Sequence, residues 1–370
     1  MNTIQSGTLH IFCGTAAEYL KLAPVLRELD RRGLAYRLID SGQHFESART
    51  VRDQLGLREP DIQLGVGREV DTLIDAGRWL ISLMPVLLSR RQRTELFDGR
   101  QGICLVHGDT VTTLMATLIA RRAQLQVGHV EAGLRSHSLF HPFPEELIRV
   151  LVMHRADLLF APNATAAQNL AVMNVRGRVV TLAANTMLES LQLALGGTIS
   201  SRTDGPVVMT LHRVENLHHK RRRDGFVHLA LQLQRTWGVL LVLHPATRAK
   251  LGSTGQLRLL EAAGVTMVDM LTHREFIAAV AAARFVVTDG GSIQEECAAL
   301  GVPCLLWRRR TERPDGLDGP VVVSRHVGAV VAQFLAQFEQ LRRPQQNLAI
   351  PVSQQIVDVL DETLHGRGPH

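Results

Sequence analysis

The stretch ICLVHGDTVTTLMATLIARRAQLQVGHVEAGLR, residues 103–135, holds a short apolar run, a polar turn, a longer segment of helical periodicity and a second short apolar run. Ile103–His107 and Val127–Val130 are near-continuous apolar runs too brief for helices, as expected of strands buried on both faces, while Leu114–Ala120 reads as the helix between them. Strand, helix, strand in this order specifies a parallel pair. Asp109 and Glu131 each follow one of these strands, so both are expected at the same edge of the sheet.

The alternation continues outward in both directions. Thr8–Cys13, Tyr36–Asp40, Leu158–Ala161 and Val179–Leu182 read as further strands, with helical spacing at Leu20, Ala23, Pro24, Leu26 and Leu29 after the first. A second series follows at Val207–Leu211, Leu240–Leu243, Thr266–Val268, Phe285–Thr288, Cys304–Trp307 and Val321–Val323. The pattern predicts an α/β chain of two Rossmann-like, doubly wound parallel-sheet domains, residues 1–195 and 196–352. The join falls between Gly196 and Pro206, where Gly, Ser, Thr and Asp cluster without periodicity. Periodic segments at Val330–Leu341 and Ile356–Leu364 close the chain, and the last helix, about residues 353–370, is expected to pack back on the first domain. Doubly wound sheets bind ligands beyond the carboxyl ends of their strands, so an interdomain cleft is expected.

Bulk properties agree. At 370 residues and 45% hydrophobic, the chain can bury the core of two domains. Its longest apolar stretches, such as Val239–Leu243 and Phe276–Ala283, fall far short of the roughly 20 residues that span a bilayer. The N-terminal Asn2, Gln5 and Ser6 do not have a signal-peptide layout, which sets the expectation of a cytoplasmic protein without membrane contact. Cys13, Cys104, Cys297 and Cys304 sit singly in apolar runs and read as reduced, buried thiols. The formal charge of +6 is carried almost wholly by arginine, with Lys21, Lys220 and Lys250 the only lysines. Basic runs at His218–Arg223 and Arg308–Arg310 have no interleaved aromatics, which argues against nucleic acid and leaves a solvated face or a small anionic ligand.

Residues with chemistry lie just after strands. Thr15 and Glu18 have capping-box spacing, and Lys21 stands one turn further, near an anion-attracting helix start. Asp289-Gly290-Gly291-Ser292 combines a strand end, two glycines and a helix start, so its amides suit a diphosphate, with Ser292 able to cap and Glu296 placed to accept from sugar hydroxyls. Asp109 could cap its helix, Glu131 could pair with Arg135, and Pro144 fits the first helical position ahead of Glu145 and Glu146. Three acids, Asp109, Glu131 and Glu145, at one cleft rim suit removal of a carbon-bound proton. His212, beside Arg213 after another strand, suits a leaving phosphate. No His/Cys/Asp spacing points to a metal, and no cofactor is expected.

Taken together, these segments resemble the non-hydrolysing UDP-N-acetylglucosamine 2-epimerases, enzymes of GT-B-like fold. The likeness runs from Gly14 to about Pro320 and is carried by His107–Thr110, His129–Arg135, Pro142–Glu146, His212–Asn216, Gln294–Glu296 and Thr311–Pro314. It implies elimination of UDP to a 2-acetamidoglucal and re-addition, interconverting UDP-GlcNAc and UDP-ManNAc, in a homodimer. It assigns Asp109, Glu131 and Glu145 as acid and base positions, His212 to the diphosphate and Lys21 to the active site. Phe276, Gly290, Gly291, Ser292, Glu296 and Arg313 match the nucleotide region, and Arg135, Arg149 and Arg213 the cleft. Three departures mark a divergent branch: Ala16-Ala17 in place of Arg-Pro, Gly290-Gly291-Ser292 in place of Ser-Gly-Gly, and Val242-Leu243-His244-Pro245 in place of a regulatory His-x-Asn-Pro. A hydrolysing epimerase, a GT-B glycosyltransferase and a non-catalytic sensor are the competing readings.

Overall fold

The computed structural model describes residues 7–65, 67, 69–70, 72–99, 101–137, 144–195, 203–311, 313–346 and 350–365. The chain divides into two compact units, Met1–Ser190 with Leu348–His370, and Leu191–Asn347.

The first unit contains β1 (Thr8–Cys13), β2 (Tyr36–Asp40), β3 (Ile62–Gln63), β4 (Gly102–His107), β5 (Gln126–Val130), β6 (Leu158–Ala161) and β7 (Arg178–Thr181). They form one parallel sheet in the order β3-β2-β1-β4-β5-β6-β7. Burial on both faces explains why the inner strands β1, β4, β5 and β6 read as continuous apolar runs. Leu9, Ile11, Ile103 and Leu105 point into one core, while Phe12, Cys104 and Val106 point into the other. That is the two-residue period of a pleated strand, with both halves of the alternation apolar. Only β3, two residues long, escapes sequence reading, because so short a run carries no period.

The second unit contains β8 (Val207–Thr210), β9 (Val239–Leu243), β10 (Thr266–Asp269), β11 (Val286–Thr288), β12 (Cys304–Leu306) and β13 (Val321–Val323). Its parallel sheet runs β10-β9-β8-β11-β12-β13, so the order reverses between β8 and β11. In the first sheet the reversal lies between β1 and β4. These switch points are where neighbouring loops diverge and leave room for a ligand.

The helix Val352–His365 lies in the first unit, against the helix Ala16–Arg32. Val352, Ile356, Val357 and Leu360 are fully buried in the same core as Tyr19, Leu22 and Leu26. Each such side chain contributes about 2 kcal/mol by leaving water. Arg32 Nη1 bonds Asp358 Oδ1 at 2.6 Å, and Ser353 Oγ bonds Glu189 Oε1 at 2.6 Å. All four cysteines are buried and outside any disulfide. Among the described residues no helix is long and apolar enough to cross a membrane. The segment 196–202, part of the expected join, lies outside the described residues.

The capping box is present at the first helix. Thr15 is the N-cap, accepting from Glu18 N, and Glu18 Oε2 accepts from Gly14 N and Thr15 N at 2.8 and 2.9 Å. Its other oxygen accepts from Thr110 and Thr113 hydroxyls at 2.5 and 3.2 Å, tying the loop after β1 to the loop after β4. Gly14 is required here by space, since a Cβ would lie 1.8 Å from Ser41 Oγ. Burial pushes the Glu18 carboxyl from 4.5 up to about 7, against the pull of its four donors. A raised acid keeps its proton in the folded state after the unfolded chain has lost it, so stability falls as pH rises through that window and levels off above it. Between pH 4.5 and 7, chemical denaturation should show the stability advantage of wild type over Glu18→Gln shrinking by about 3 kcal/mol. A constant difference across that range would contradict the burial argument.

Candidate active site

In the first unit, the loops after β1, β4 and β5 bring an acid cluster to the carboxyl edge of the sheet. Lys21, one turn into its helix, places Nζ 2.5 Å from Glu131 Oε1, and Asn185 Nδ2 donates to the same oxygen at 2.6 Å. The pair is withdrawn from water, with side chains 3% and 5% exposed. His107 Nε2 stands 3.9 Å from Glu131 Oε2. Glu131 has φ +68°, a left-handed conformation that costs a non-glycine residue about 1–2 kcal/mol. Glu131 therefore pairs with Lys21, 110 positions away, and not with Arg135 four residues on. A local pair would leave the lysine buried without its anion.

Arg149 Nη2 forms an ion pair with Asp109 Oδ2, and its Nη1 reaches Glu146 Oε2 at 3.4 Å. Glu146, fully buried, also accepts from Arg135 Nε at 2.5 Å and Ser136 N at 3.0 Å. Burial raises the Glu146 carboxyl, but Arg135, the Ser136 amide and Arg149 outweigh it and hold the group below the usual range. Glu145 starts the helix Glu145–Met153 and sits one turn before Arg149, on the same helical face. Its Oε2 is out of contact with solvent and has no hydrogen-bond partner among the described residues. An acceptor in that condition is costly unless a ligand satisfies it.

His129 is fully buried, and burial pushes its imidazole down to about 4. Its Nε2 lies 2.7 Å from the Gly108 carbonyl, which can only accept, so the ring is neutral with its proton on Nε2. His129 thereby ties β5 to the turn that presents Asp109.

Two capping expectations change here. Thr110, not Asp109, caps the helix Val111–Arg122, accepting from Thr113 N at 3.1 Å, which leaves the Asp109 carboxylate to Arg149. Pro144, expected at the first helical position, stands instead at the N-cap, and the helix begins at Glu145. Pro142 and Phe143 lie outside the described residues.

In the second unit, the loops after β8 and β11 are locked together by Asp289, which is fully buried. Its Oδ1 accepts from His212 N at 3.0 Å, and its Oδ2 from Arg213 N at 3.0 Å and Asn216 Nδ2 at 2.9 Å. Arg213 Nε returns a bond to the Asp289 carbonyl at 3.0 Å. The His212 imidazole packs so closely on the next residue that a Cβ at Gly290 would lie 2.9 Å from its Cε1. Burial lowers the His212 basicity, joined by Arg213, His244 and Arg308 and opposed by Asp289.

The helix Gly291–Leu300 begins at Gly290 with no side-chain cap, so Ser292 lies inside the first turn and does not cap. Uncapped first-turn amides attract anions. Further along this helix, Glu295 forms an ion pair with Arg313, and Gln294 bonds the Arg313 and Asp315 carbonyls at 3.0 and 2.9 Å. Glu296 Oε1 lies 3.2 Å from His273 Nε2, while its buried Oε2 has no hydrogen-bond partner among the described residues. Phe276, half-buried, stands three residues after His273 on the helix His273–Ala282. Glu312 lies outside the described residues.

The first unit thus joins Lys21 to Glu131, Asp109 to Arg149, and Arg149 to Arg135 through Glu146, with Glu145 one turn away. The second joins His212, Arg213 and Gly290 through Asp289, and Arg313 to Glu295. Asn185, Asp289 and Glu18 were not singled out as site residues from the sequence. Glu18 and Asp289 each had a positional signal, being next to a loop after a strand. Asn185 had none, since its contact is made 54 positions away from Glu131.

A family model described as UDP-N-acetylglucosamine 2-epimerase matches residues 27–356. The chain is similar to the UDP-N-acetylglucosamine 2-epimerase of Methanococcus maripaludis, 31% identical over 83% of this chain and 85% of that protein. It is 33% identical to the Bacillus subtilis UDP-N-acetylglucosamine 2-epimerase, over 82% of this chain and 80% of that one. Among solved structures, Methanocaldococcus jannaschii UDP-GlcNAc 2-epimerase in complex with UDP-GlcNAc and UDP matches with a TM-score of 0.77 at 26% identity, covering 95% of this chain and 99% of that one. The fold is thus the GT-B-like one expected. Since the family model spans most of the chain, with the loops that carry the acids, His212 and the glycines, the chain belongs to the UDP-N-acetylglucosamine 2-epimerase family.

Proposed function

We propose that this protein interconverts UDP-N-acetylglucosamine and UDP-N-acetylmannosamine without hydrolysis, by elimination of UDP and re-addition. The observation that carries the reading is the set of three carboxyl groups, Asp109, Glu131 and Glu145, two of them held by buried cations and the third with a buried oxygen lacking a partner among the described residues.

The chemistry follows from what the sugar requires. Its C2 proton is weakly acidic, so it leaves only to a positioned base while the C1–O bond breaks and the electron pair departs with UDP. The product is a 2-acetamidoglucal with a C1–C2 double bond. Re-addition reverses the sequence: a UDP phosphate oxygen bonds to C1 as a proton returns to C2 from the opposite face. Acids on two sides of the sugar are needed, and Asp109, Glu131 and Glu145 supply them. Lys21 and Asn185 keep Glu131 from swinging, which spares the reaction that reorganisation.

The leaving diphosphate is assigned to the uncapped start of the helix Gly291–Leu300, with His212 beside it. Lowered basicity keeps His212 neutral until a diphosphate arrives, whose charge favours the imidazolium. The unpartnered Glu296 Oε2 suits a ribose hydroxyl, with Phe276 and Arg313 in the same nucleotide region. No metal takes part.

We also assign the protein as a homodimer through the helix Leu73–Leu88. Ile74, Ile81 and Leu88 are 68%, 69% and 69% exposed and follow each other at seven-residue intervals, which puts them on one face. A stripe of that kind on a helix calls for a partner.

Incubation with UDP-N-acetylglucosamine in heavy water, followed by NMR, should give a nucleotide-linked manno product carrying deuterium at C2. Free manno sugar would show hydrolysis instead, and retained C2 hydrogen would overturn the elimination. Asp109→Asn and Glu131→Gln should each lower exchange at least 100-fold while UDP affinity stays within about tenfold. Glu296→Ala should reverse that pattern, and a chelator should change neither. By light scattering, wild type should have the mass of two chains and Ile81→Arg that of one; a monomeric wild type would remove the dimer assignment.

A further inference from the structure

The second unit holds a cavity of about 730 Å³ that the proposed reaction does not use. It is built where two helices begin, Lys220–Trp237 and Gly328–Leu341, with Trp307 after β12 beside them. The two basic runs of the sequence converge here: Arg221 and Arg222 come from one, Arg309 from the other, and Arg325 joins them from the loop after β13. Among the described residues no aspartate or glutamate lines the cavity. Arg222 spends one nitrogen on the Glu215 carbonyl at 3.4 Å, and Arg221, Arg309 and Arg325 form no ion pair with any described carboxylate.

Four arginines lining one concave space, without acidic partners among its described walls, repel one another and focus a positive potential into it. The backbone adds to that potential. Neither N-cap residue, His219 or Val327, offers a side-chain acceptor to the first turn of its helix, so both helices present uncapped amides. Arg325 and His326 stand consecutively at φ +51° and +58°, a strained left-handed pair that brings both side chains to the wall. Both ring nitrogens of His326 are out of contact with solvent and without a hydrogen-bond partner among the described residues. Burial pushes that imidazole down to about 4, helped by Arg222, Arg309 and His219 and opposed by Glu215.

We propose that this cavity is a second anion site, taking a compact small molecule that carries two or more phosphate groups. A single phosphate is satisfied by one or two bidentate guanidiniums, whereas four match a diphosphate or longer chain. The volume is that of a small-molecule pocket. Trp307 is the single aromatic residue of its wall apart from histidines and is already packed edge-on against Phe226 and His326, so there is no run of stacking platforms for a nucleic-acid strand. None of the lining residues belongs to the Gly290–Ser292 loop or to the Asp289 cluster.

The test is calorimetric titration of inorganic pyrophosphate into the whole protein in 0.15 M salt, with UDP present at saturation. Pyrophosphate should bind one site per chain, at least tenfold more tightly than inorganic phosphate. The double variant Arg309→Glu/Arg325→Glu, whose changes are on exposed side chains, should weaken it at least tenfold and leave UDP affinity unchanged. Arg221→Gln serves as a milder variant if the double change perturbs folding, and should weaken binding about threefold. Absence of pyrophosphate binding under UDP, or binding unaltered by either variant, would overturn the proposal. So would tighter binding of a ten-residue oligothymidylate than of tripolyphosphate, which would mark a nucleic-acid surface. Failure of UDP itself to bind would count against the proposed function and not against this site, whose readout needs no turnover.

Discussion

The buried contact between Lys21 and Glu131 is the constraint on which the first unit's chemistry rests. Desolvating two ions costs several kcal/mol each, and close approach offsets this only when the remaining polar atoms are also satisfied. Here the ammonium comes from the helix after β1, the carboxylate from the loop after β5, and an amide from Asn185 completes the oxygen's coordination. Three segments far apart in sequence are held by one oxygen atom. Left-handed strain at Glu131 adds to the cost, so the arrangement is not one that stability alone selects. It persists because the surrounding sheet is packed on both faces and leaves the backbone no easier path.

The same economy recurs around it. Arg149 holds Asp109 with one nitrogen and Glu146 with another, and Glu146 is kept ionised by Arg135 and an amide. Glu145, on the same helix, has a buried oxygen without a hydrogen-bond partner among the described residues. In the second unit a single carboxylate, Asp289, gathers three donors from the loop after β8 and so sets where His212 stands. Each unit thus uses one buried carboxylate as a fastener and exposes its chemistry at the switch point of a parallel sheet.

Much of this was legible in the sequence because parallel strands buried on both faces leave an unmistakable trace. Runs such as Leu158–Ala161 and Val321–Val323 coincide with β6 and β13 to the residue. Others, such as Val207–Leu211, overshoot by one, since a residue can remain buried after its ladder has ended. The acids were legible by position, standing just after strands. Their partners were not. Nothing local links Lys21 to Glu131 or Arg149 to Asp109, and nearest-neighbour reasoning offered Arg135 and a helix cap instead. Hydroxyl competition decided the caps: Thr110 is next to Asp109 and takes the role, and Gly290 starts a helix that Ser292 enters as its second residue. The cationic cavity was visible only as two separate basic runs, because Arg325 and the left-handed backbone that presents it leave no mark in composition.

The central claim is that the C1–O bond to the diphosphate breaks and re-forms while UDP stays bound. The most direct measurement uses UDP-N-acetylglucosamine labelled with oxygen-18 at the bridge between C1 and the β-phosphorus, following the label by phosphorus NMR during turnover. Cleavage frees the β-phosphate to rotate, so the account predicts that label migrates from the bridge to non-bridging positions in recovered substrate. Label that remains wholly in the bridge while C2 inverts would contradict it.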